Sequence, residues 1–186
     1  LFLYAAMGGV LVLLPYMLIR VADYSGLMAG AALTPFPIVM GLLSRTIGGL
    51  LEKVGARRLL TVGAGVTAVG LAMFARVGAE VDYWTVILPA LTVMAVGMAI
   101  AVAPLTTTVM EAVDDDHAGT ASGVNNAAAR TAQMLAVALL GPVLGASVGD
   151  GFLDSFRLAA LGAAGSAVIG GAAAWWLVAA KDDQEH

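Results

Sequence analysis

The chain has 186 residues, of which 60% are hydrophobic and only 12% charged, with a mean hydropathy of +0.92, a net charge of -4 and no cysteine. A soluble domain carries roughly 25% charged and about 45 to 50% apolar residues, so this composition excludes a soluble globule and points to lipid as the solvent. No dense basic face is available for nucleic acid, so no such partner is expected, and the lack of cysteine removes disulfides and thiolate metal sites.

In chain order, six apolar stretches cover residues 1–19, 25–51, 59–75, 84–110, 118–148 and 158–180. Each is near or above the roughly 20 residues that a helix needs to cross about 30 Å of hydrocarbon. The expected fold class is therefore an all-α integral membrane bundle of six transmembrane helices, with 181–186 as a cytoplasmic tail. A membrane β-barrel would need strands of about 10 residues that alternate polar and apolar side chains, and these runs are continuously apolar.

The first stretch begins at Leu1 without a basic lead-in or a small-residue cleavage site, so it is not a signal peptide, and further residues are expected upstream. It carries Gly8, Gly9 and Pro15; the second carries Thr34, Pro35 and Pro37. Proline inside a span frees a carbonyl that neighbours, hydroxyls or water must satisfy, which suits either a packing kink or a helix bent around a cavity. The third stretch holds only Thr61 and Thr67 as polar side chains, and Arg57, Arg58 and Arg76 can snorkel to lengthen it. The fourth holds Thr92, Gly97, Pro104 and Thr106 to Thr108. The acidic run Asp114 to Asp116 with His117 reads as a solvated loop, with Asp116 suited to cap the following helix.

The fifth stretch contains Arg130, twelve residues past Ala118. A charge near the bilayer centre costs roughly 2.5 to 3.5 kcal/mol even on the lenient insertion scale, so it must face protein or water. At 100° per residue, Gly119, Ser122, Asn126, Arg130, Gln133 and Val137 fall within an arc of about 80°, a polar stripe that is either a structural clamp or part of a substrate path or gate. In the sixth stretch, Gly162, Ser166, Gly170 and Ala174 form a small-residue face for close helix packing, and Ser166 is its only polar side chain.

Basic residues set orientation. Lys53, Arg57, Arg58 and Lys181 fall on one side, against Arg20, Arg76 and Arg157 on the other, and three of the first group share the short turn from Glu52 to Arg58. That turn, the Glu111 to His117 loop and both chain ends are expected in the cytoplasm. No aspartate or glutamate lies mid-span, so a proton-carrying residue would have to lie elsewhere. His117 and His186 are the only histidines, no metal-ligand spacing exists, and no enzyme, metal or cofactor is expected.

The turn Gly48-Gly49-Leu50-Leu51-Glu52-Lys53-Val54-Gly55-Ala56-Arg57-Arg58 resembles the loop signature of the major facilitator superfamily. Gly48, Leu50, Lys53, Gly55 and Arg57 fall on it; Glu52 stands where aspartate is usual and Ala56 where a base is usual, as in the weaker copy of a second half. Ala118 to Arg130, Ala103-Pro104-Leu105-Thr106-Thr107, and Tyr24-Ser25-Gly26 with Ala29-Gly30-Ala31 and Pro35 are similar to stretches of the 14-span drug:proton antiporter family within it. Gly141-Pro142-Val143-Leu144-Gly145 faintly echoes that family's glycine-proline signature, with Ala146 where a second glycine would stand.

This resemblance implies the C-terminal bundle of a two-bundle cell-membrane transporter whose N-terminal bundle is missing, exporting small lipophilic, often cationic drugs in exchange for protons. It implies that the first and fourth stretches line the cavity, the second and fifth flank it, and the third and sixth lie outside. Tyr4, Met7, Tyr16, Met94 and Met98 are then candidates to meet apolar substrate. Two other functions compete with export: a non-transporting membrane scaffold or accessory subunit, and an uptake permease of the same superfamily.

Overall fold

The computed structural model describes residues 1–78, 80–111, 114, 117–145 and 151–182. Among them the chain is all-helical: α1 Phe2–Val21, α2 Gly26–Ala32, α3 Pro35–Val54, α4 Ala56–Met73, α5 Leu88–Glu111, α6 Ala118–Gly145 and α7 Phe152–Asp182. A 3-10 turn, Phe74–Arg76, closes α4, and a π turn, Tyr83–Ile87, opens α5. Residues 146–148 of the fifth stretch, Asp115, Asp116 and 183–186 of the tail lie outside the described residues, as do the side chains of Glu52, Glu111 and Pro142.

The second apolar stretch is two helices rather than one. Pro35 has no N–H to reach back, and the chain turns on short bonds instead, Leu33 N–H to Gly30 O at 3.1 Å and Thr34 N–H to Ala31 O at 3.0 Å. Phe36 N–H turns to Leu33 O at 3.0 Å, and the Ala32 carbonyl this leaves free accepts from the Tyr83 hydroxyl at 3.0 Å, so the π turn before α5 satisfies a carbonyl opened by the break. Ser25 caps α2 by accepting from Met28 N–H. At the other end of α3, Gly55 takes φ +84° and ψ 148°, a backbone region open essentially to glycine alone, and so joins α3 to α4 without an intervening loop. Gly55→Ala is expected to cost about 1 to 3 kcal/mol, read as a lower thermal unfolding midpoint of the purified protein, although no neighbour crowds the site.

Among the described residues five helical spans are long and apolar enough to cross a membrane: Phe2–Val21, Gly26–Leu51, Ala56–Arg76, Tyr83–Met110 and Phe152–Val178. The remaining long helix, α6, has 28 residues, about 42 Å at 1.5 Å each, and its apolar surface is broken by Asn125, Asn126, Arg130 and Gln133.

Close packing centres on α4 and α5, where glycines let the backbones touch. A Cβ placed on Gly63 would stand 2.7 Å from Ala101 N and 2.8 Å from Gly97 O, and the buried Thr67 hydroxyl donates back to Gly63 O at 2.8 Å. Beyond this pair, α4 packs on α7 and α5 on α3, while α1 packs on α6 and α7. The two halves of the chain are thus interlaced: the leading helix of each sits against the later helices of the other.

Within this bundle the third stretch, α4, packs against α5 and α7. It is rich in glycine and alanine, and its mean hydropathy of 1.6 falls below the 2.1 of α1 and the 2.4 of the α5 span. Half of it is buried, against 17% of the α2–α3 span, and only a narrow edge with Val62 and Val69 stays open. On α7 the small-residue face is partly used within the chain: Ser166 Oγ donates to Phe2 O at 3.0 Å, and a Cβ on Gly170 would meet Phe2 Cβ at 3.2 Å.

At one end of the bundle, Arg157 ties α7 to the loop after α4, its Nε donating to Val77 O at 2.8 Å and its Nη1 reaching Asp154 at 3.0 Å. Asp82 caps the π turn there. The hydrogen bonds from Thr85, side chain and backbone, and from Trp84 N–H hold its carboxyl below the usual carboxylate range despite its exposure.

Candidate functional site

Polar side chains inside the membrane gather where α1 meets α6. Asn125, half-buried, lies within hydrogen-bonding reach of the Tyr4 hydroxyl. Further along, α6 crosses α1 at Gly8: a Cβ there would come within 2.7 Å of Gln133 Cγ and 3.0 Å of Gln133 Cα. Glycine at position 8 is what lets Gln133 nest against the α1 backbone.

The polar stripe straddles the edge of this interface. Ser122 and Gln133 are half-buried on its packed side, whereas Asn126 and Arg130 are exposed beyond it. A groove of about 520 Å³ runs along this edge, lined by Gly8, Leu11 and Val12 of α1 and by Arg130, Gln133, Met134, Val137 and Ala138 of α6. Among the described residues no hydrogen bond or ion pair engages Arg130, so none of them serves as the partner that the clamp reading needs. The side chain stands at a mostly apolar wall, about 18 Å along α6 from Ala118.

The apolar candidates divide. Tyr4 belongs to the α1/α6 contact. Met7 is half-buried and packs on the core. Tyr16 is exposed at the far end of α1, between Phe152 at 5.5 Å and the Arg20 guanidinium at 5.4 Å. Met94 and Met98 are fully enclosed in the core, so they do not line an open face as they stand. The contact of Gly70 with Met94 turns that side of α5 into α4.

In the signature turn, Gly48 and Lys53 are exposed, Gly55 supplies the positive φ, and the Glu52 side chain falls outside the described residues. Arg57 does not cap a helix C-terminus. Its guanidinium lies 3.6 Å from the centre of the Trp175 ring, binding the start of α4 to the end of α7.

Sequence reasoning passed over two groups. Arg45 lies in the second apolar stretch, six residues before the end of the Gly26–Leu51 span, and is exposed, near enough to the span end for its side chain to snorkel. Asn125 was overshadowed by Asn126, although its helical angle puts it nearer the centre of the packed face.

Comparison with known proteins matches residues 1–186 to the Major Facilitator Superfamily. Two proteins named Multidrug resistance protein Stp, from Mycobacterium tuberculosis strains CDC 1551 / Oshkosh and ATCC 25618 / H37Rv, are each 30% identical over 141 residues. The aligned part is 76% of this chain and 26% of each relative, so the chain spans about a quarter of the length of the proteins it matches.

Proposed function

This chain belongs to the major facilitator superfamily, a family of membrane transporters and not of enzymes, and from that premise we propose that it forms the C-terminal bundle of an efflux transporter for lipophilic compounds. In this reading all six long helical segments cross the cell membrane, with both ends in the cytoplasm, and an N-terminal bundle covers the open edge of α1 and α6. Cargo is held between the bundles and released by alternating access, in exchange for protons. The proton is carried in the other bundle, because the mid-span charge described here is an arginine, Arg130, and not a titrating acid.

One observation carries the proposal: α6 presents Asn126 and Arg130 in mid-span on an exposed face, where acyl chains would solvate them poorly. A helix built this way needs protein or water opposite it. The resistance named in the Mycobacterium tuberculosis relatives supports the direction of transport.

The reading is tested in cells that carry the full-length gene and are loaded with a panel of lipophilic dyes. Several-fold lower accumulation than in control cells is expected for at least one dye, with the difference erased by a protonophore. Equal accumulation of every dye would sink it, and faster dye entry would replace export by uptake.

A further inference from the structure

The mid-span charge among the described residues is positive: Arg130 on α6 is exposed, and the described acidic side chains, Asp23, Glu80, Asp82, Asp114 and Asp154, all lie at or beyond helix ends. A guanidinium in low dielectric repels a cationic ligand and holds a carboxylate through two parallel hydrogen bonds. Beside Arg130 stands the Gln133 amide, a further donor, and the remaining wall is Leu11, Val12, Met134 and Val137. The groove, at about 520 Å³, falls in the range of small-molecule sites.

We propose that the α1/α6 groove binds an anionic amphiphile, its carboxylate on Arg130 and Gln133 and its apolar body along the aliphatic wall. The charge complementarity that selects this occupant also disfavours a lipophilic cation at the same place. The idea deepens the transport reading and rests on it only in treating the ligand as cargo; binding itself requires no turnover.

The test uses the full-length protein in nanodiscs of neutral phosphatidylcholine, without a proton gradient, titrated with an anthroyloxy-labelled stearic acid, its methyl ester and ethidium. The acid is expected to bind at least about tenfold more tightly than the ester, which lacks the charge. Arg130→Ala should weaken the acid by about tenfold and leave the ester unchanged, while Arg130→Lys retains part of the preference. Matching thermal unfolding of the variants shows that the site, and not the fold, was altered.

Any of four results overturns the proposal. Acid and ester bind alike, or ethidium binds in an Arg130-dependent way; Arg130→Ala leaves acid binding intact, as it would if a carboxylate of the partner bundle already neutralised the guanidinium; or phosphatidylglycerol in the discs displaces the acid, making the groove a lipid site. Failure of export with acid binding preserved counts against the transport reading alone.

Discussion

Gly97→Leu is expected to abolish assembly of the bundle. Position 97 of α5 faces α4 with no room for a side chain: a Cβ alone would lie 2.8 Å from Gly63 O, and closer still to the backbone N and hydroxyl of Thr67. Overpacking costs about 1 to 3 kcal/mol where neighbours can shift. Here the obstacle is backbone, so relief requires the helices to part, which also breaks the neighbouring Gly63 to Ala101 and Gly70 to Met94 contacts. In lipid this packing is the main force between helices, because the acyl chains are as apolar as the side chains. The detergent-solubilised full-length variant should give no monodisperse peak on size exclusion, while Gly97→Ala gives a folded protein with a lowered melting midpoint. A wild-type peak and midpoint for the leucine variant would show that α4 and α5 do not touch in this way.

Gly8→Val is expected to leave the protein folded and to reduce transport at least about tenfold. The close contacts at position 8 are with Gln133 of α6 and not with the α4/α5 pair, so assembly survives. At α1, the Gln133 side chain can swing away from an added methyl, but Gln133 Cα at 3.0 Å moves only with α6. Displacing α6 separates Tyr4 from Asn125 and reshapes the groove under Arg130. A 1 Å displacement of a binding constellation commonly costs about a hundredfold. Initial export rate per folded molecule is the measurement, with Gly8→Ala falling between valine and wild type. Wild-type export by the valine variant would remove the α1/α6 crossing from the transport path.

Much of this arrangement was legible in the residues alone. Apolar run length located the helical segments, and the prolines of the second stretch marked the place where it divides into α2 and α3. A helix apolar all round, such as α5, does not reveal which side meets its neighbour, so its sequence carried no sign that the substrate candidates Met94 and Met98 are enclosed in the core of this chain. Counting polar side chains did not show how closely α4 packs on α5, since glycine and alanine are non-polar yet favour contact with protein over lipid. The partner of Arg57 was equally hidden: Trp175 is more than a hundred residues away, and only the α4/α7 contact brings the two together. Arg45 required no structure to be found, since it stands within the second apolar stretch.

The interlacing of the two halves has a consequence for how the chain is made. Phe2 leaves the ribosome well before Ser166, its hydrogen-bond partner 164 residues later, a delay of roughly ten to thirty seconds at ordinary elongation rates. During that interval the nascent α1 must survive in the bilayer without its permanent neighbours, and its mean hydropathy of 2.1 suits it to wait there. The helix bearing Arg130 emerges late, when a glycine-notched companion is already in place to receive it, so the costliest segment to insert is the one that spends the least time alone.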